Sequence, residues 1–343
     1  MATPAPRKGI PPRFTSGQIS KQPQPPAIKR PPAGVLTSLL QPDRVKRLEL
    51  PHGCFNAGLI NDPLTGGYIC VYRPDERSFS LCLLTGDLQI VPGSHRPLGI
   101  TNCADPRLAW WGHRLLMVYS SHDTGTYKNE CIRAAVLAEY AQGPGASMKW
   151  LPVEPFRVSM PGEARQKNWT PFVGAGNRLF LVASIRPHTI YELKEPGCFA
   201  HPFCETEWDS PWFHDEFFRG NTPPVYLQGH GMSDSGLRDG AFLGTFHTVQ
   251  KTTQKLHHYD NGCYVFSAKP PFRVLRCARR TYLPAEAATE PHFRKAGLIQ
   301  VCFPVGMVER DGKLLISYGD NDSSVKIMET TVKEMLTTTV ELY

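Results

Sequence analysis

The sequence has no run approaching 18 apolar residues, which excludes a membrane-crossing helix. Its opening, Met1-Ala2-Thr3-Pro4-Ala5-Pro6, lacks an apolar stretch, so no secretory leader is expected. There is no P-loop, H-E-x-x-H, EF-hand or G-x-S-x-G pattern. Gly174-Ala175-Gly176 is a turn rather than a dinucleotide fingerprint. Cys198, His201 and Cys204 are spaced like metal ligands, but no second cluster accompanies them, and no metal is expected. No organic cofactor is expected either. Helical patterning is scarce: only Thr330 to Leu336 looks helical.

Acidic residues are absent from the first 42 positions, which hold six Lys/Arg, and nine prolines precede residue 33. The net charge of the 343-residue chain is +7, so removing that segment leaves the rest nearly neutral. The basic excess therefore belongs to a tail, and neither a nucleic-acid-binding core nor a membrane partner is implied. Residues 1–42 read as a Pro-rich tail, disordered or loosely packed, and residues 43–343 as a single domain. The 10 cysteines are scattered, with no C-x-x-C pair, which reads as reduced, mostly buried thiols. Two glycosylation sequons, Asn168-Trp169-Thr170 and Asn321-Asp322-Ser323, fall in segments assigned below to the active site. A glycan there would block access, so a cytoplasmic location is expected.

What is present is a weak internal repeat. Five short β-rich runs each begin at a polar or turn residue: Gly67 to Arg73, His113 to Ser120, Asn177 to Ser184, Gly240 to His247 and Gly312 to Gly319. Each is preceded by a second element carrying a polar residue, usually with a proline. These are Phe55 to Gly58, Ala104 to Leu108, Lys167 to Phe172, Gly220 to Val225 and Phe303 to Gly306. The pair recurs roughly every 50–70 residues, which suits the blades of a β-propeller. A β-sandwich or barrel with ordinary turn residues is the alternative.

In a propeller, the innermost strands would bring Asn56, Arg73, Asp105, Arg107, Lys167, Arg186, His247 and Asp320 or Asp322 to one funnel. Asp105, in Cys103-Ala104-Asp105-Pro106-Arg107, is a candidate general acid, a role that calls for a raised pKa. Lys167, Arg186 and His247 are three cations suited to phosphate oxygens. The aromatic-rich stretch Trp208 to Phe218 suits either sugar stacking or loop packing.

These motifs together resemble glycoside hydrolase family 130, the inverting β-mannoside phosphorylases and mannosidases, from about Phe55 to the C-terminus. Asp105-Pro106-Arg107 is similar to the family's acid motif, Lys167-Asn168 to its Lys-Asp, Ile185-Arg186-Pro187 to its His-Arg-Pro, and Phe246-His247 to its Tyr-His. Phe303-Pro304-Val305-Gly306 and Tyr318-Gly319-Asp320-Asn321-Asp322 are similar to its C-terminal motifs. The resemblance implies an all-β, five-bladed propeller with a short C-terminal helix. Asp105 would be the catalytic acid, working through a mannose hydroxyl. Lys167, Arg186, His247 and Arg165 would hold phosphate. Asn56, Arg73, Arg107, Asn168 and Asp322 would hold mannose. Phosphate would attack the anomeric carbon and release α-mannose 1-phosphate.

The tail and the Lys-Asn-Trp-Thr-Pro-Phe motif further resemble a parasite branch of mannosyltransferase–phosphorylases. These act on β-1,2-mannooligosaccharides of a cytosolic reserve, mannogen, with mannose, phosphate and in some cases GDP-mannose as partners. Family members are often oligomeric, so a homo-oligomer is a further expectation. The competing readings are a β-mannoside hydrolase, with Glu163, Glu205 or Glu207 as its base, and a non-catalytic glycan-binding propeller.

Overall fold

The structure, a computed structural model, describes residue 39 and residues 41–122, 130–143, 145–161, 166–210, 218–227, 239–251, 257–292 and 299–342. All belong to one contact unit, Pro32–Tyr343. The basic tail lies outside the described residues apart from Leu39, Gln41 and Pro42.

The regular structure of the described chain is nearly all strand, with one short α-helix. Each sequence unit becomes an antiparallel hairpin of its two elements. Phe55–Asn61 pairs with Tyr68–Arg73, Cys103–Trp111 with Arg114–His122, and Thr170–Gly174 with Arg178–Ser184. Arg219–Gly220 and Val225–Tyr226 pair with Ala241–Lys251, and Ile299–Arg310 with Lys313–Asp320. Further strands extend each hairpin outward. The first three groups are separate sheets; the fourth and fifth join through a short parallel pairing of His257–Ser267 with Ile299–Arg310. Near the chain's start, Val45–Arg47 adds to the outer strand of the fifth group, Ser324–Thr331.

The second strand of each hairpin is a continuous apolar run because both of its faces are buried. In Arg114–His122, Leu115 and Met117 pack toward the first group, in a cluster with Ile69, Val71 and Leu81. Leu116 and Val118 pack the other way, with Leu179 and Leu181 of the third. The period of two makes one strand serve two cores. Phe172 and Phe180 of the third group meet Phe242 and Phe266 of the fourth. Leu243 and Val265 meet Leu314 and Ile316 of the fifth, and Leu59 and Cys70 of the first meet Val308 and Ile327 of the fifth. Every group thus shares a core with the groups before and after it.

First strands also touch one another. A Cβ at Gly58 would collide with the Pro106 carbonyl, and one at Gly306 with the backbone of Leu59. Glycine is required at both because backbone meets backbone there.

The expected helix over Thr330 to Leu336 starts later. Ser324–Thr331 is strand, paired along its length with Lys313–Asp320, and the helix is Val332–Thr337. Thr331 and Glu334 form a reciprocal capping box that sets this start. All ten cysteines are free and eight are buried. Among the described residues no helix is long and apolar enough to cross a membrane.

Candidate active site

The polar ends of the first strands gather around a cavity of about 260 Å³. Its lining includes Asn56, Arg73, Asp105, Lys167, Asn168, His247 and Asp322, from the sequence expectations. It also includes Glu76, His122, Arg219, Tyr259 and His292, which those expectations missed.

Left-handed backbone aims several of these side chains. Asn56 (φ 48°), Asp105 (φ 58°), Asn168 (φ 60°) and Asp322 (φ 52°) all have positive φ. At Asn56 and Asp105 the strand pairing slips by an extra residue, between Phe55 and Gly58 and between Ala104 and Arg107. Such bulges re-aim a side chain out of the sheet's alternation. Asn and Asp tolerate the left-handed region better than other non-glycine residues.

Asp105 is only 4% exposed. Its Oδ1 accepts from Asn56 Nδ2 at 3.0 Å and lies 3.5 Å from Arg73 Nη1. The Arg73 guanidinium is fixed by the Phe55 ring at 4.5 Å and by the Glu76 carbonyl at 2.6 Å. Burial pushes the Asp105 carboxyl up, but Arg73, Lys167, Arg107 and the Asn56 hydrogen bond outweigh it and hold it below the ordinary carboxylate range. The raised pKa expected of an acid is therefore corrected: without substrate Asp105 is a carboxylate at neutral pH.

Two expected ligands lie elsewhere. Arg107 is 0% exposed, and its Nε, Nη1 and Nη2 donate to the carbonyls of Asn221, Asp105 and Gly220 at 2.6, 2.8 and 3.3 Å. The bulge at Asp105 turns it inward as a strut between the second and fourth groups, beyond reach of a sugar. Burial lowers its pKa to about 10, with Asp105 opposing, so it stays charged. Arg186 does not line the cavity; it meets Asp209 at 3.2 Å and stacks on Phe218 at 4.5 Å. Asp320 is fully buried against Lys326 and Thr289, which leaves Asp322, 3.5 Å from His292, as the carboxylate facing the cavity. Arg165 and Glu163 lie outside the described residues. So does most of the aromatic stretch, residues 211–217; Trp208 and Phe218 pack together in an apolar cluster.

Lys167 is held 3.4 Å from Glu130, whose side chain is 0% exposed and also lies 3.6 Å from His122. His247 is not a cation. Burial, then Arg219, Lys167 and Arg107, hold its pKa well below the usual histidine value. His122 is also lowered, by burial and by Lys167 and Arg73, against the pull of Glu130. Burial takes His188 down to about 4. These depressed values mean that the unfolded chain takes up protons the native chain refuses. Their stabilisation is full above the ordinary histidine pKa of about 6.5 and is lost as pH falls toward the folded values. The urea midpoint is expected to fall steadily from pH 7 to pH 5, and in that range His188→Gln should flatten the slope.

No protein-family model matches the chain, and no curated protein matches it. Solved structures do match its fold. A putative glycosidase from Bacteroides thetaiotaomicron aligns with TM-score 0.60 at 13% identity, over 88% of this chain and 96% of that one. A Listeria innocua β-1,2-mannobiose phosphorylase in complex with β-1,2-mannobiose aligns with TM-score 0.56 at 11% identity, over 87% and 94%. A Leishmania mexicana mannose phosphorylase in complex with a phosphate ion aligns with TM-score 0.50 at 14% identity, over 82% and 84%. The structural neighbours thus include mannoside phosphorylases, at low identity, and the fold is the one they share.

Proposed function

We propose that this chain is an inverting β-1,2-mannoside phosphorylase/mannosyltransferase built on a five-bladed β-propeller. Five hairpins, each sharing a core with both neighbours, support the five-bladed reading. One observation carries the function: the buried Asp105 carboxylate, braced by Asn56 and Arg73, shares a small polar cavity with Lys167 and His247. The carboxylate serves proton transfer at the glycosidic oxygen, the cationic side takes the phosphate at the anomeric carbon, and Asp322 offers acceptor oxygens to the mannose hydroxyls.

In phosphorolysis the phosphate oxygen forms the new bond to C1, the C1–O glycosidic bond breaks, and the leaving oxygen takes a proton delivered from Asp105 through a mannose hydroxyl. In the reverse direction Asp105 receives the acceptor's proton and phosphate leaves. An ionised Asp105 is ready for this second role at rest, and the concentrations of phosphate, mannose 1-phosphate and glycan set the direction of net turnover. GDP-mannose is an admissible donor because it also presents phosphate at the anomeric carbon. A recess of about 580 Å³ shares Phe55, Glu76 and Asp322 with the cavity and gives the mannan chain a place to lie. The buried sequon residues Asn168 and Asn321 support a cytoplasmic setting.

For the hydrolase alternative, Glu205 and Glu207 do not line the cavity. The deciding test is product analysis on β-1,2-mannooligosaccharides with and without phosphate. Phosphate-dependent α-mannose 1-phosphate is the expected product. Free mannose formed equally without phosphate would mean hydrolysis. Chain extension from GDP-mannose alone would make the protein a transferase only, and binding without any product a glycan-binding propeller.

A further inference from the structure

Arg219 occupies a telling position. Lys167-Asn168-Trp169-Thr170-Pro171 and Arg219-Gly220-Asn221-Thr222-Pro223 share a cation-x-x-Thr-Pro spacing, so Arg219 is to the fourth group what Lys167 is to the third. Arg219 stands directly across an antiparallel pair from His247, and both line the cavity. Its guanidinium makes no hydrogen bond or salt bridge to any described residue. A side chain at Gly220 would meet the Asn168 carbonyl at 2.9 Å, so glycine lets the Arg219 strand close on Asn168.

Asn168 gives an independent sign of a ligand. It is 2% exposed and lines the cavity, and neither its Nδ2 nor its Oδ1 has a partner among the described residues. A buried polar group left unpaired is costly, so a ligand offering both donor and acceptor is favoured there.

The tautomer of His247 narrows the ligand further. Asn261 Nδ2 spends its protons on the carbonyls of Leu283 and Cys302, both at 2.9 Å, so Asn261 Oδ1 accepts from Asn221 Nδ2 at 2.9 Å. Asn221 must then present Oδ1 to His247 Nδ1, 2.5 Å away, and the imidazole proton sits on Nδ1. A neutral imidazole carries one N–H, so Nε2 has a lone pair. The ring is stacked on Tyr259 and edged by Phe303, which leaves Nε2 as its polar atom toward the cavity.

We propose that Arg219, Asn168 and Lys167 seat a phosphate group whose P–OH hydrogen donates to His247 Nε2, so that the seat takes hydrogen phosphate and rejects sulfate, which has no proton to give. Arg219 thereby takes the place that the family resemblance gives to Arg186. The seat deepens the phosphorylase reading, but it is tested by binding, so either can fail alone.

The experiment is calorimetric titration of the full chain with sodium phosphate and with sodium sulfate at pH 7 and matched ionic strength. Phosphate is expected to bind at least about tenfold more tightly than sulfate. Arg219→Ala should weaken phosphate by about tenfold or more. Asn221→Asp gives His247 a carboxylate partner and a second proton, so it should shrink the phosphate preference to about threefold or less. Should that variant not fold, the wild-type ratio decides. Equal binding of the two anions by the wild-type chain overturns the proton-acceptor role. Full phosphate affinity in Arg219→Ala, with loss in Arg186→Ala, overturns the seat. Phosphate binding without any phosphorolysis supports the seat and removes the function proposed above.

Discussion

Asp105→Asn lowers turnover of β-1,2-mannooligosaccharides by about 10²–10⁴-fold, the range for loss of a positioned acid or base. Asn can keep the left-handed backbone at φ 58° and the contact to Asn56, so folding is retained and the loss is chemical. Circular dichroism and melting check the first point and product analysis the second. The pH dependence follows from the lowered pKa. Transfer onto an acceptor needs the carboxylate, so its acid limb lies below the ordinary aspartate range, and microscopic reversibility gives phosphorolysis the same limb. An acid limb at or above the ordinary aspartate range would remove Asp105 from proton transfer. Unchanged turnover in the Asn variant would take the chemistry away from Asp105, and binding without turnover in either protein would leave a glycan-binding propeller.

Arg107→Ala destabilises the protein by about 3–5 kcal/mol, as expected when one partner of a buried charge network is removed. Three backbone carbonyls lose their donor at once, and Asp105 loses a neighbouring cation. Lysine cannot restore the fork, since its single ammonium cannot span carbonyls on two chain segments. Urea unfolding is the measurement. If Arg107 instead held mannose, Arg107→Ala would raise KM and leave the urea midpoint in place.

The sequence repeat made the five hairpins legible because strands buried on both faces leave uninterrupted apolar runs. The same repeat made Asn56, Asp105, Lys167, His247 and Asp322 legible, as polar residues at the ends of those runs. Arg219 escaped because its strand is only two residues long and the residue itself precedes the glycine taken as the start of the element. The cation-x-x-Thr-Pro spacing shared with Lys167 was the available signal. Arg107 misled because a bulge reverses the direction that simple alternation gives it. The charge of His247 could not be read from its neighbours in sequence. It depends on burial and on Arg219, Lys167 and Arg107, which are brought around it only by folding, as are Asn221 and Asn261, which set its tautomer. Glu130 meets Lys167 through the pairing of His122 with Glu130, which composition does not reveal.

The left-handed positions carry an evolutionary consequence. Asn56, Asp105, Asn168 and Asp322 stand where the backbone admits few residues besides asparagine, aspartate and glycine. Exchanges among those three alter charge or remove a side chain while leaving the path of the chain in place. On the proposed role of Asp105, an enzyme and an inert carbohydrate-binding descendant are therefore one substitution apart at that position, with no intermediate that must survive misfolding. The reverse step is equally short, and catalysis on this scaffold can be lost and regained without rebuilding it.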